Sequence, residues 1–169
     1  MADVVEITGP PAVDQSGNLT IWYVKTLADV TAPKLTEIGA ITSFRHTHSF
    51  TPDGWNLTGS QTKSKDERLT LRQALESLES SEVSLSLKYV DSATPGSAAV
   101  VLKEGESGYF VERRNVAQSK VATLADKVRV IPVTLGKQIP GPVDGTGKFT
   151  YTQEVAITGV IGEEVALVA

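Results

Sequence analysis

The sequence predicts a mainly β protein, on three observations: segments that alternate cleanly between apolar and polar residues, turn-rich stretches between them, and few side chains suited to chemistry. In residues 83–90, Val83, Leu85, Leu87 and Tyr89 alternate with Ser84, Ser86 and Lys88. In residues 148–157, Phe149, Tyr151, Val155 and Ile157 alternate with polar partners. A period of two gives one apolar and one wet face, because successive side chains of a strand point to opposite sides of the sheet.

The elements follow in chain order. Gly9, Pro10 and Pro11 read as an extended arm, so that residues 1–17 form an N-terminal extension before the first strand. Residues 19–24 are that strand, rich in β-branched and aromatic residues and preceded by the turn formers Ser16, Gly17 and Asn18. Residues 33–38 suit a short helix, with Leu35 and Ile38 three apart and Gly39 placed for a left-handed stop. Residues 40–48 are expected to be extended, with Ile41, Ser43, Arg45 and Thr47 on one face and Thr42, Phe44, His46 and His48 on the other. Thr51, Pro52, Asp53 and Gly54 mark a turn. From Trp55 to Arg68 the chain is nearly all polar, too poor in apolar residues to bury itself, and residues 50–68 are expected to form a long loop. Residues 69–78 fit a helical stripe through Leu71, Ala74, Leu75 and Leu78, and fit alternation as well. Residues 98–102 and 109–114 read as a hairpin around Gly105 and Gly108. A helical turn at 120–126, a strand at 128–135 with Pro132 at an edge or bulge, a loop over 136–147 and a final strand complete the chain.

Composition narrows the function. With 169 residues, 40% of them hydrophobic, one domain spanning 1–169 can bury an adequate core. Aromatic residues make up only 6%, which favours thin layers of Val, Leu, Ile and Ala over a deep ligand cavity. The absence of Cys excludes disulfides, thiolate metal sites and thiol nucleophiles. The first residues carry neither a basic nor an apolar leader region, and no stretch reaches the roughly 18 apolar residues of a membrane span; synthesis in the cytoplasm without a membrane anchor is expected. A net charge of −4 disfavours tight electrostatic binding to nucleic acid.

Chemical candidates are few. His46 and His48 have a two-residue spacing that suits two imidazole ligands on one strand face, but no third ligand accompanies them. No Gly-x-Ser-x-Gly nucleophile motif occurs. The Gly-rich run before Lys148 departs from a phosphate loop, with Pro142 at the required first glycine and Phe149 in place of Ser or Thr. Asn18 and Asn56 match a glycosylation pattern that means nothing without secretion. Arg113 and Arg114, at a strand end, read as a solvated pair or a subunit contact. No catalytic, metal or cofactor site is expected.

Several blocks together resemble the major tail tube proteins of long, non-contractile-tailed bacteriophages, especially those of actinobacterial hosts. They are residues 16–24, Pro52-Asp53-Gly54-Trp55, Asp66-Glu67-Arg68-Leu69, residues 85–90, Gly108-Tyr109-Phe110-Val111-Glu112-Arg113-Arg114, residues 128–136, and Val155-Ala156-Ile157-Thr158-Gly159. The resemblance implies a β-sandwich or partial barrel with one short flanking helix, assembling as hexameric rings that stack into a tube. It implies a virion location and partners in a tape-measure protein and in tail terminator or tip proteins, with DNA passing through the lumen unbound. It also implies that residues 68–77 are extended and pair with 83–90 in a long hairpin. On this reading the 50–68 loop docks on the next ring, with Phe50 and Trp55 as apolar anchors and Lys63, Lys65, Asp66, Glu67 and Arg68 as polar partners. Ser84, Ser86 and Lys88 are candidates to face the lumen. The competing reading is a capsid decoration protein or carbohydrate-binding β-sandwich.

Overall fold

The computed structural model describes residues 12–66, 75–143, 145 and 147–169. The elements are β1 (Leu19–Val24), α1 (Leu35–Ile38), β2 (Phe44–Arg45), β3 (Phe50–Asp66), β4 (Leu75–Val90), α2 (Ala98–Val101), β5 (Ser107–Arg114), β6 (Lys127–Pro140), β7 (Thr150–Ile157) and β8 (Gly162–Ala166). All pairings between these strands are antiparallel, in one open sheet ordered β2-β1-β5-β6-β7-β4-β3, with β8 also on β6. The mainly β expectation holds, with two short helices instead of one.

The sheet curls without closing. Trp55 on β3 reaches Phe110 on β5 with ring centroids 5.2 Å apart, although β6, β7 and β4 lie between those strands. Right-handed twist accumulated over many strands bends a sheet in this way. Its concave face holds Ile21, Tyr23, Leu85, Leu87, Tyr89, Phe110, Ile131, Val133, Leu135 and Val155, and α2 lays Ala98, Ala99 and Leu102 over them. The opposite face of β1, β5 and β6 buries Val24, Val111, Val128 and Val130 beneath Ile38 of α1 and Leu167 of the C-terminal segment. Leu35 N–H donates to Val168 O, and Val168 N–H to Pro33 O, fastening that second layer.

Several expectations are corrected. Residues 50–66 form a strand, not a loop, because Trp55 and Leu57 turn inward opposite Leu87 and Leu85 and the polar remainder pairs with β4. The turn signal at 51–54 is absorbed as a bulge between Phe50 and Trp55, where Gly54 lies against the Lys88 carbonyl and leaves no room for a Cβ. Leu75–Val90 is one continuous strand whose partner is β3, so the hairpin does not join 68–77 to 83–90; residues 69–74 lie outside the described residues. Residues 98–101 are helical, since Ala98, Ala99 and Leu102 share one side of a turn and cover the concave core. In 40–48 only Phe44 and Arg45 are strand, 120–126 holds a turn and not a helix, and 136–140 continues β6. Gly39 ends α1 at φ −84°, outside the left-handed region.

Pro132 sits within β6, not at a free edge. Its carbonyl accepts from Thr158 N–H, so its missing N–H faces the gap where β6 changes partner from β8 at Val130 to β7 at Val133. The ladder loses nothing there.

Candidate assembly interface

The body of the sheet ends where β7 stops pairing with β4, at Leu85 opposite Val155. Beyond it β3 and β4 continue alone, from Gly59 opposite Val83 to Asp66 opposite Leu75. Eight residues of β3 at about 3.3 Å each make an arm about 26 Å long. Ser60, Gln61, Thr62, Lys63, Glu82 and Val83 are exposed. A two-stranded ribbon is marginal in water, and among the described residues no strand pairs with the outer edge of β3.

The residues expected to mediate assembly divide into three groups. Lys63, Lys65 and Asp66 lie on the arm, opposite Leu78, Glu76 and Leu75. Glu67 and Arg68 lie outside the described residues. Phe50 and Trp55 belong to the subunit's own core: Phe50 packs edge-on to Trp55 at 5.6 Å and to Tyr89 at 6.3 Å, and Trp55 continues to Phe110. Both rings are partly buried and spend much of their surface within their own subunit.

Ser84, Ser86 and Lys88 lie on the face of β4 opposite Leu85, Leu87 and Tyr89. Ser84 Oγ and Thr58 Oγ1 are 2.9 Å apart, and Lys88 Nζ donates to Asp53 Oδ2 at 2.9 Å. That pair offsets the lysine charge and holds the Asp53 carboxyl below the usual carboxylate range, with Thr51 donating to the same group. The result is a hydroxyl-rich surface of nearly balanced charge.

Sequence reasoning missed two buried ionic centres. Glu112, fully buried, accepts from Trp55 Nε1 at 3.1 Å, Arg114 Nε at 2.7 Å and Arg129 Nη1 at 3.3 Å. Arg113 is not a solvated residue: it is fully buried, donates to Asp126 Oδ2 at 2.9 Å and Lys120 O at 2.7 Å, and lies over the Trp22 ring at 5.3 Å. The signal was available, because Phe110 and Val111 face opposite sides of a strand whose neighbours on both sides are apolar. Such a strand is buried on both faces, and charges at its end must then be paired.

Other polar groups are structural. Tyr89 Oη donates to Gln153 Oε1 and accepts from Gln138 Nε2, both at 2.9 Å, while Gln153 Nε2 donates to Leu102 O and Gly136 O; this network ties α2 to the sheet. Burial pushes the Tyr89 phenol up to about 12. His46 is buried and His48 exposed, in a turn and not on a shared strand face. Burial lowers His46 to about 4. Among the described residues, no group of three or more His, Asp or Glu side chains is placed to hold a metal, and no helix is long and apolar enough to cross a membrane.

Comparison with known proteins decides what kind of subunit this is. Residues 7–169 match the model of a family described as phage tail tube protein. The chain belongs to the phage tail tube protein family. Among solved structures, it is similar to a chain of the six-fold symmetrised cryo-EM structure of the anti-feeding prophage (AFP) baseplate, at a TM-score of 0.56 and 13% identity, over 90% of this chain and 95% of that one. At that identity the likeness is one of fold. No curated protein matches the sequence. Membership makes this chain a phage tail structural protein, and the arm is the feature of the tail tube subunit left without support from its own sheet.

Proposed function

We propose that this tail tube protein polymerises as hexameric rings stacked into the conduit through which phage DNA leaves the virion, and that it has no catalytic role. The observation that carries this reading is the arm: an eight-residue ribbon rich in polar residues, whose outer edge no strand among the described residues covers. An unpaired edge is a bonding surface when copies of the chain are meant to cover it. Head-to-tail contacts close into rings or continue as filaments, and a tube combines both.

The hydroxyl-rich face bearing Ser84, Ser86 and Lys88 suits the lumen, because DNA affinity comes from clustered cations and Lys88 is already paired with Asp53. The tape-measure protein and tail terminator or tip proteins are the further partners of this reading, in the long, non-contractile tail of a phage of an actinobacterial host. Synthesis occurs in the host cytoplasm and function in the virion tail.

Electron microscopy of the purified protein tests the reading. Rings or hollow rods are expected. Compact particles that persist at high concentration would instead support a decoration or carbohydrate-binding module.

A further inference from the structure

A short piece of chain, residues 44–47, covers the outer edge of β1. Trp22 and Tyr23 pair with Arg45 and Phe44, His46 N–H donates to Ile21 O at 3.0 Å, and Ile21 N–H donates to Thr47 Oγ1 at 2.9 Å. The hold is narrow: β1 pairs with β5 along all 6 of its residues, and with the cover only at Trp22 and Tyr23. Alternation in an antiparallel ladder aims the Ile21 and Tyr23 N–H groups at the cover and those of Trp22 and Val24 at β5.

His46 seats this cover. Its side chain is fully buried, stacks on Phe44 with ring centroids 6.0 Å apart, and among the described residues has no hydrogen-bond partner at either nitrogen. Phe44 in turn lies against Gly96. Such a site accepts the neutral ring, whereas an imidazolium there is a buried charge without a partner. The ionisable groups on the surrounding elements do not supply one. On β1, Tyr23 stays neutral, its phenol pushed up to about 12 by burial, and beyond that strand Lys25 pairs with Glu106. Glu112, opposite Ile21 on β5, is held by Arg114 and Arg129. Lys103, after α2, donates to Ala99 O; Arg45 reaches out to Gln118 O; His48 and Asp91 are exposed. Burial alone lowers the His46 pKa, to about 4.

We infer that residues 44–47 form an acid-released clip: protonation of His46 lifts the segment off the sheet and uncovers the outer edge of β1. The opening is local because lifting the clip is the least disruptive way to bring the ring to water. It breaks the bonds to Ile21 and Tyr23 and leaves the β1–β5 ladder whole, whereas global unfolding destroys both. The open form is a minority excursion whose frequency acid raises. What it uncovers is a strand edge, the part of a sheet that most readily pairs with another chain. The clip belongs to the lone subunit and does not depend on the assembly reading.

Residue-resolved hydrogen exchange of the unassembled chain tests this, at steps from pH 7.5 to 4.5 with the intrinsic pH dependence divided out. Protection at Ile21 and Tyr23 should lie below that at Trp22 and Val24 throughout, and should fall about seventyfold across the range, the ratio set by a proton bound at pKa 6.5 in the open clip and about 4 in the closed one. His46→Phe keeps an aromatic ring beside Phe44 and takes no proton, so its Ile21 and Tyr23 protection should stay level, while His48→Phe should follow the parent. One common protection for all four amides at each pH shows that opening is global and overturns the clip. So does Ile21 and Tyr23 protection that does not fall in acid, or that falls equally in His46→Phe. The comparison between the two pairs of amides needs no substitution, and it decides the proposal even where His46→Phe fails to fold.

Discussion

Acid should destabilise this subunit well above the carboxylate range, and His46 should be the cause. The ring is fully buried, stacks on Phe44 at 6.0 Å, and has no hydrogen-bond partner at either nitrogen. Burial lowers its pKa from 6.5 to about 4, so the unfolded chain binds a proton that the folded chain refuses between those values. Above pH 6.5 both states are neutral and His46 contributes no pH dependence. As pH falls from 6.5 toward 4 the unfolded state gains protons and unfolding free energy declines; below about 4 the loss levels off. The full span is worth about 3 kcal/mol, which at about 2 kcal/mol per molar urea moves the midpoint by about 1.5 M. The assay is urea unfolding of unassembled protein followed by fluorescence of Trp22 and Trp55, at steps from pH 7.5 to 4.5, for the parent, His46→Phe and His48→Phe. The parent and His48→Phe should lose stability in parallel, and His46→Phe should stay nearly level. An equal slope in His46→Phe, or a level parent curve, refutes the argument.

Three further outcomes follow from other contacts. Trp55→Phe keeps most of the aromatic packing but removes one of three donors to buried Glu112, and should cost about 1–3 kcal/mol in chemical denaturation; Trp55→Ala should cost about 3–5 kcal/mol. Arg113→Met leaves Asp126 without its buried partner and frees Lys120 O, and a loss of about 3–5 kcal/mol is expected in the same assay, with faster proteolysis of the 115–126 segment. Replacing residues 60–82 by Asn-Gly, which can close a two-residue turn between the paired Gly59 and Val83, should leave a cooperatively melting subunit that forms no rods under electron microscopy. Normal rods from that truncation would remove the arm from assembly.

The sheet was legible wherever burial imprinted a pattern. Leu85, Leu87 and Tyr89 in β4, Val155 in β7, and the β-branched runs of β1, β5 and β6 all announced strands because each has at least one face against the core. The outer part of β3 was not legible. Hydrophobic alternation records burial and not backbone pairing, and residues 59–63, exposed in succession, have no burial to record. Ala98 to Leu102 misled for a different reason: small and branched apolar residues fit a strand or a one-turn helix equally, and only the concave core beneath α2 selects the helix. The five-residue β8, with two glutamates and a single β-branched residue, offered no signal. For the candidate interface, polarity did single out the stretch that became the arm, placing Lys63, Lys65 and Asp66 there. The same reasoning did not see that Phe50 and Trp55 pack against the subunit's own core. The Glu112 centre was hidden because its partners stand 2, 17 and 57 positions away in the chain.

The two edges of the sheet are treated unequally, and that inequality gives the subunit a direction. The outer edge of β1 is closed by its own chain: Trp22 and Tyr23 pair with Arg45 and Phe44, Ile21 O accepts from His46 N–H, and Ile21 N–H donates to Thr47 Oγ1. Among the described residues, no strand covers the outer edge of β3. If two open β3 edges met, the contact would be self-complementary and growth would stop at a dimer. Growth beyond a dimer requires the arm to meet a different surface of the next copy, so that each added subunit presents a fresh arm.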